Sequence, residues 1–264
     1  MNKFTFALAL GAGLLLSLAN PTVHAAPIVQ TLATPELSSS QFNSLFKAID
    51  NAPTLTSSYQ FMNTNVSGVV QSQVFQGTGA AAGLYAYAFQ FGVNNTSDVA
   101  GEPTSVSSAA MAFNATPVLS NFIDTTSAQY AAYVVKDGKI GGIDLPQAAP
   151  GSIIQSPTSL AWQPGTKTGA LTFQYLDSDS STGPLGAGAK SATVVVISNQ
   201  PFTTQPVSLQ NANPQTSYPV AYSATGGDIH EVPVPEPSTV LAWAGMIGAV
   251  AVVRRVRRGR AAQA

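Results

Sequence analysis

Residues 84–93, LYAYAFQFGV, constrain the fold more than any other stretch of this chain. Tyr85, Tyr87, Phe89, Phe91 and Val93 alternate with Leu84, Ala86, Ala88, Gln90 and Gly92. A period of two puts each set on its own side of a β-strand, and an aromatic row this regular faces a core. The same grammar runs from Tyr59 to about Ser223: Ser and Thr among alternating apolar residues, punctuated by Gly, Pro and Asn. Strands are expected at 66–75, 106–113, 117–123, 158–162, 169–176, 192–198, 203–210 and 218–222. Ala192 to Ser198 (ATVVVIS) is continuously apolar and β-branched, which suits a strand covered on both faces. Tyr130 to Val135, Asp137-Gly138 and Ile140 read as a hairpin, because Asp-Gly accepts the positive φ of a type I′ turn. Many short strands joined by turns predict an all-β fold, a two-sheet β-sandwich of jelly-roll or Ig-like kind over 59–223.

Residues 26–58 precede that region as a linker and one short N-terminal helix. Ser38, Ser39 or Ser40 can cap the helix, and Phe42, Leu45, Phe46 and Ile49 have the spacing of one apolar face. Residues 224–234 read as a second linker, with Gly226-Gly227 flexible and the prolines after Val232 holding extended chain.

Both ends of the chain are apolar. Lys3 is followed by an apolar stretch from Phe4 to Leu18, then Asn20-Pro21 and the small residues Val23 and Ala25 around His24. That order predicts a secretory signal peptide over 1–25, cut between Ala25 and Ala26. The C-terminal segment, 235–264, has three parts. Pro235, Glu236, Pro237 and Ser238 come first, an apolar run to Val253 follows, and Arg254, Arg255, Arg257, Arg258 and Arg260 come last. Proline suits the first turn of a helix, and a helix is the one open-chain form whose backbone is satisfied in hydrocarbon. Val240 to Val253 would span about 21 Å against about 30 Å of hydrocarbon, and starting at Ser238 extends this to about 24 Å. The arginines can snorkel and hold that end on the cytoplasmic side. A transmembrane helix over 238–253 is therefore expected.

This constellation closely resembles the PEP-CTERM sorting signal. The resemblance covers the last thirty or so residues and implies that Pro235-Glu236-Pro237 with Ser238 is recognised by exosortase. That enzyme is a membrane protease-transpeptidase of Gram-negative bacteria that make exopolysaccharide. It further implies a transient inner-membrane intermediate, resolved to the cell surface or the extracellular matrix.

Once the two ends are set aside, charge excludes several functions. Between residues 26 and 236 stand Lys47, Lys136, Lys139, Lys167 and Lys190 against all twelve acids, a net charge of −7 where the whole chain reads −1. An acidic body without arginine argues against nucleic acid as partner. The chain has no cysteine, so disulfides and thiolate metal sites are excluded. Its two histidines are His24, in the signal peptide, and His230, in the second linker, which leaves no obvious base for a Ser-His-Asp triad. Glu102, Asp98, Asp124 and Asp144 are expected in turns and make poor glycosidase carboxylates. No enzymatic activity and no cofactor are expected. Asp177, Asp179 and Ser181 offer alternating oxygens that suit calcium, but the EF-hand pattern fails at Thr182 and Gly188. Trp162 is either a sugar-stacking platform or a core residue, with Tyr85, Tyr87, Tyr175, Tyr218 and Tyr222 as scattered companions. The leading expectation is a structural or adhesive protein of an exopolysaccharide layer; the alternative is an extracellular carbohydrate-binding module.

Overall fold

The computed structural model describes residues 29–94, 105–123, 128–143, 154–175, 183–211 and 215–232. The chain is all-β with one short α-helix and one 3-10 turn among those residues. Its strands form a seven-stranded, an eight-stranded and a two-stranded sheet. The seven-stranded sheet runs Gln30–Leu32, Ser159–Gln163, Ala170–Gln174, Ser108–Ala112, Phe202–Gln210 and Thr216–Ser217, with Val220–Ala224 also paired to Phe202–Gln210. In the eight-stranded sheet Ser67–Gly77 and Tyr85–Val93 are the centre. Phe46–Ala48 and Leu55–Gln60 pair along the first, and Thr193–Ser198 joins the second to Ala132–Val135.

The aromatic row does what its period requires. Tyr87, Phe89, Phe91 and Val93 enter a large apolar cluster that also takes Leu160, Trp162, Leu171 and Phe173 from the seven-stranded sheet. Phe173 closes the gap between the sheets, 5.5 Å from Phe89 and 5.3 Å from Phe91 between ring centres. The other side of the strand is buried as well. Ala86 and Ala88 join Val195 and Ile197 in a second cluster, under Phe42, Phe46, Phe75 and Tyr133. Alanine fits there because bulky rings from neighbouring strands of the same sheet, Phe46, Phe75 and Tyr133, and from the helix, Phe42, already fill that space. Thr193–Ser198 is buried at every position, as its unbroken apolar run predicts.

Four local expectations differ from the structure. The helix is Ser39–Leu45, capped by Ser38, whose hydroxyl accepts the Gln41 N–H while the Gln41 side chain accepts the Ser38 N–H. Phe46 already begins a strand paired to Gly77, so only Phe42 is buried on the helix itself. Asp137-Gly138 is not a type I′ turn, since neither residue has positive φ. Asp137 instead accepts the Ser39 N–H at 2.7 Å, placing a carboxylate at the start of the helix, and Ala132–Val135 pairs with Thr193–Val196 rather than with a partner beyond the turn. Residues 117–123 form no strand. Ser120 makes a single bridge to Tyr130, while Val118, Phe122 and Ile123 pack on the second cluster; the run is apolar because it is a cover. Residues 30–58 belong to the sheets rather than leading up to them, through Gln30–Leu32, Phe46–Ala48 and Leu55–Gln60.

One strand reaches across both main sheets. Val220–Ala224 pairs with Phe202–Gln210 on one edge. On its other edge the Val220 and Tyr222 N–H groups donate to the hydroxyls of Ser57 and Ser72, each at 3.0 Å. Hydroxyls thus satisfy amides that a sheet edge would otherwise expose.

A C-terminal strap and its candidate site

The segment from Thr225 to Val232 is fastened to the body. Gly226 adopts φ 80°, a left-handed conformation in which a side chain is strained. Gly227 has no room for one: a Cβ there would lie 2.7 Å from Gln200 Cγ and 2.9 Å from Ala115 Cβ. The pair that reads as a flexible joint is a fitted turn. Its Gly227 N–H donates to the Asn114 carbonyl at 3.2 Å, and Thr225 N–H to the Pro201 carbonyl at 2.9 Å.

Thr116 is the next fastening. Its hydroxyl donates to the Asp228 carbonyl at 3.0 Å and accepts the His230 N–H at 2.9 Å. The ring Nδ1 of His230 lies 3.2 Å from the same oxygen. A hydroxyl beside an imidazole is the first element of a nucleophile–base pair. Here, however, the oxygen is engaged by strap backbone on both its donor and acceptor sides, and Thr116 is 8% exposed. The arrangement holds a chain in place. The reading of His230 as a residue of a linker needs correcting, because Thr116 and Trp162 hold it against the body.

Trp162 completes this wall. It is 0% exposed, packs edge-on to Phe113, and donates its indole N–H to the His230 carbonyl at 3.2 Å. The sugar-platform reading of Trp162 is corrected accordingly, because a fully buried indole has no free face for a sugar ring. Of the tyrosines grouped with it, Tyr218 is the exposed one, at 63%. Finally, Gln30 grips Val232: its amide oxygen accepts the Val232 N–H at 2.7 Å and its amide nitrogen donates to the Val232 carbonyl at 3.0 Å. Val232 itself is buried in the main cluster.

Between strap and body lies a cleft of about 290 Å³, lined by Thr116, Pro117, Val118, Asn199, Gln200, Gly227, Asp228 and His230. Both body turns that flank it are anchored. Val118 N–H donates to the Ile197 carbonyl at 2.8 Å, and the Tyr87 hydroxyl donates to the Gln200 carbonyl at 2.7 Å. Burial, reinforced by the neighbouring Tyr85 phenol, pushes the Tyr87 pKa well above that of a free phenol, so it remains a donor at any physiological pH.

Other expected site residues fall elsewhere. Ala25, Ala26, Pro235, Glu236, Pro237, Ser238, the five arginines and the calcium candidates Asp177, Asp179 and Ser181 all lie outside the described residues. So do the carboxylates Asp98, Glu102, Asp124 and Asp144. Among the described residues no three His, Cys, Asp or Glu side chains gather as metal ligands, and no helix is long and apolar enough to cross a membrane. Gln30, Thr116 and Asp228 carry no motif, and their roles arise from segments far apart in sequence. Comparison with protein-family models, with curated proteins and with solved structures finds no match to this chain.

Proposed function

We propose that this chain is an exported bacterial surface or extracellular-matrix protein, processed by exosortase. Its role in the exopolysaccharide layer is structural or adhesive and not enzymatic. The observation that carries the reading is the C-terminal constellation, Pro235-Glu236-Pro237-Ser238, an apolar run and five arginines in that order. The body is a two-sheet sandwich, a reading supported by the single apolar cluster to which both large sheets contribute. The signal peptide delivers it across the inner membrane, and the apolar segment holds it there until processing. The strap adds a geometric condition. Val232 is clamped, so the three residues from there to Pro235 can span at most about 10 Å. A membrane protease therefore meets its motif close against the domain.

The test replaces Pro235, Glu236 and Pro237 with alanine and follows the protein by cell fractionation and intact mass. Retention in the membrane with the C-terminal segment still attached is expected. Normal loss of that segment by the altered protein would remove the motif from the reading. A carbohydrate-binding module is the second reading; it no longer has Trp162 as anchor, and the polar cleft beside His230 is what favours it.

A further inference from the structure

The cleft's lining selects a class of ligand by exclusion. Among the described residues no lysine or arginine lines it, whereas Asp228 does, in a body of net charge −7, so an anion is repelled. One carboxylate and one imidazole are too few donors for a resident metal ion, in line with the lack of a metal-binding cluster among the described residues. A wholly apolar ligand would strand four polar side chains, Asn199, Gln200, Asp228 and His230.

What those side chains still offer is mixed hydrogen bonding. Gln200 Nε2 donates to Asn199 Oδ1 at 3.1 Å, which orients both amides and leaves Asn199 Nδ2 as donor and Gln200 Oε1 as acceptor. The Asp228 backbone carbonyl holds the strap, and its carboxylate takes no part in that bond. Thr116 occupies the Nδ1 side of His230, leaving Nε2. A donor, two acceptors and an imidazole beside the apolar side chains of Pro117 and Val118 match a ring with several hydroxyls and a C–H face. The volume, about 290 Å³, lies just below the roughly 300–1,000 Å³ of ligand pockets, room for one sugar residue rather than a long chain.

We propose that the cleft between the strap and the Thr116–Val118 and Asn199–Gln200 turns binds a neutral hexose unit through Asp228, Asn199, Gln200 and His230. This deepens the matrix reading and rests on it only for where the sugar comes from. Three lining residues belong to the strap and five to the body, so a bound sugar also ties the strap down.

The experiment uses the full chain in a detergent without a sugar headgroup and measures saturation-transfer NMR to D-glucose, D-galactose, D-mannose and N-acetylglucosamine, with sodium glucuronate as the anionic comparison. At least one neutral hexose should receive saturation and should slow cutting of the strap by subtilisin. Asp228→Asn and Asn199→Ala should each weaken binding about tenfold, as expected for losing a charged or well-placed hydrogen bond. Both side chains are exposed, so both variants should keep the parent circular dichroism spectrum. The proposal is overturned by no transfer to any of the four sugars, by transfer that both variants leave unchanged, or by glucuronate binding as well as the neutral sugars. None of these measurements involves processing, so such a failure leaves the exosortase reading standing, and failure of the motif test leaves this one standing.

Discussion

The side-chain amide of Gln30 bonds both the N–H and the carbonyl of Val232, a residue 202 positions later. Gln30 also lies in register with Trp162, whose indole holds the carbonyl of His230. The first strand of the described fold and its last described segment are thus locked at one edge of the seven-stranded sheet. By the sequence reading, the signal-peptide cut and the sorting motif lie a few residues outside this lock on either side. Gln30→Ala leaves the buried Val232 N–H without its partner, at a cost of about 1–3 kcal/mol. Hydrogen exchange at Val232 and His230 should accelerate, while exchange in Tyr85–Val93 holds. Unchanged exchange at Val232 would mean that something other than this amide secures the strap.

Thr116 can be tested by isosteric replacement. Thr116→Val keeps the shape but removes the oxygen that accepts the His230 N–H and donates to the Asp228 carbonyl. A loss of roughly 1–3 kcal/mol in urea unfolding is expected, with most of it restored in Thr116→Ser. Equal stability of the valine and serine variants would contradict the role given to the hydroxyl.

Gly227→Ala tests the fit of the turn. The new methyl meets Ala115 Cβ and Gln200 Cγ, and only the second can swing aside. Overpacking of this kind costs about 1–3 kcal/mol. The melting temperature should fall, and NMR shifts at Asn199 and Gln200 should move as the cleft distorts.

Alkaline stability follows from buried phenols. Burial pushes the pKa of Tyr59, Tyr87 and Tyr175 up from the ordinary 10.0. Below that value both folded and unfolded chains keep these protons, so stability is unaffected. Above it the unfolded chain releases protons that the folded chain retains, and stability falls by about 1.4 kcal/mol per pH unit for each such tyrosine. Thermal melts should therefore be flat from neutral pH to about 9 and drop steeply beyond about 10. Tyrosinate absorbance from these residues should appear only as the fold is lost; its appearance in the folded protein at ordinary pH would refute the account.

Trp162→Ala should act on stability. Emptying a fully buried indole site costs about 3–5 kcal/mol and removes the donor to His230. The expected readout is a large fall in the urea midpoint together with faster proteolysis of the strap. A variant of parent stability would return Trp162 to the surface and reopen its reading as a ligand platform.

Much of the architecture was open to inspection in the primary structure, because local periodicity reports burial directly. The alternation of Tyr85 to Val93 marked a core strand, and the β-branched run to Ser198 marked one covered on both sides. Ser38 to Ser40 located a helix start within a residue. Segments 117–123 and 137–138 misled for one reason: an apolar run or an Asp-Gly pair states a local preference, and the partner decides its use. Val118 and Phe122 cover a sheet instead of joining one, and Asp137 serves a helix ninety-eight positions earlier in the chain.

The order of motif, apolar run and arginines is a property of contiguous residues, and so the chain's own text sufficed to suggest export and sorting. The site beside the strap is of the other kind. Gln30, Thr116, Trp162, Asn199 and His230 are scattered through the sequence, and each has an ordinary local neighbourhood. They meet because the first described strand, the Thr116 turn and the strap up to Val232 converge at one sheet edge. Hydrogen bonds there join groups that no short window contains, and only the packed fold could bring them within 3 Å.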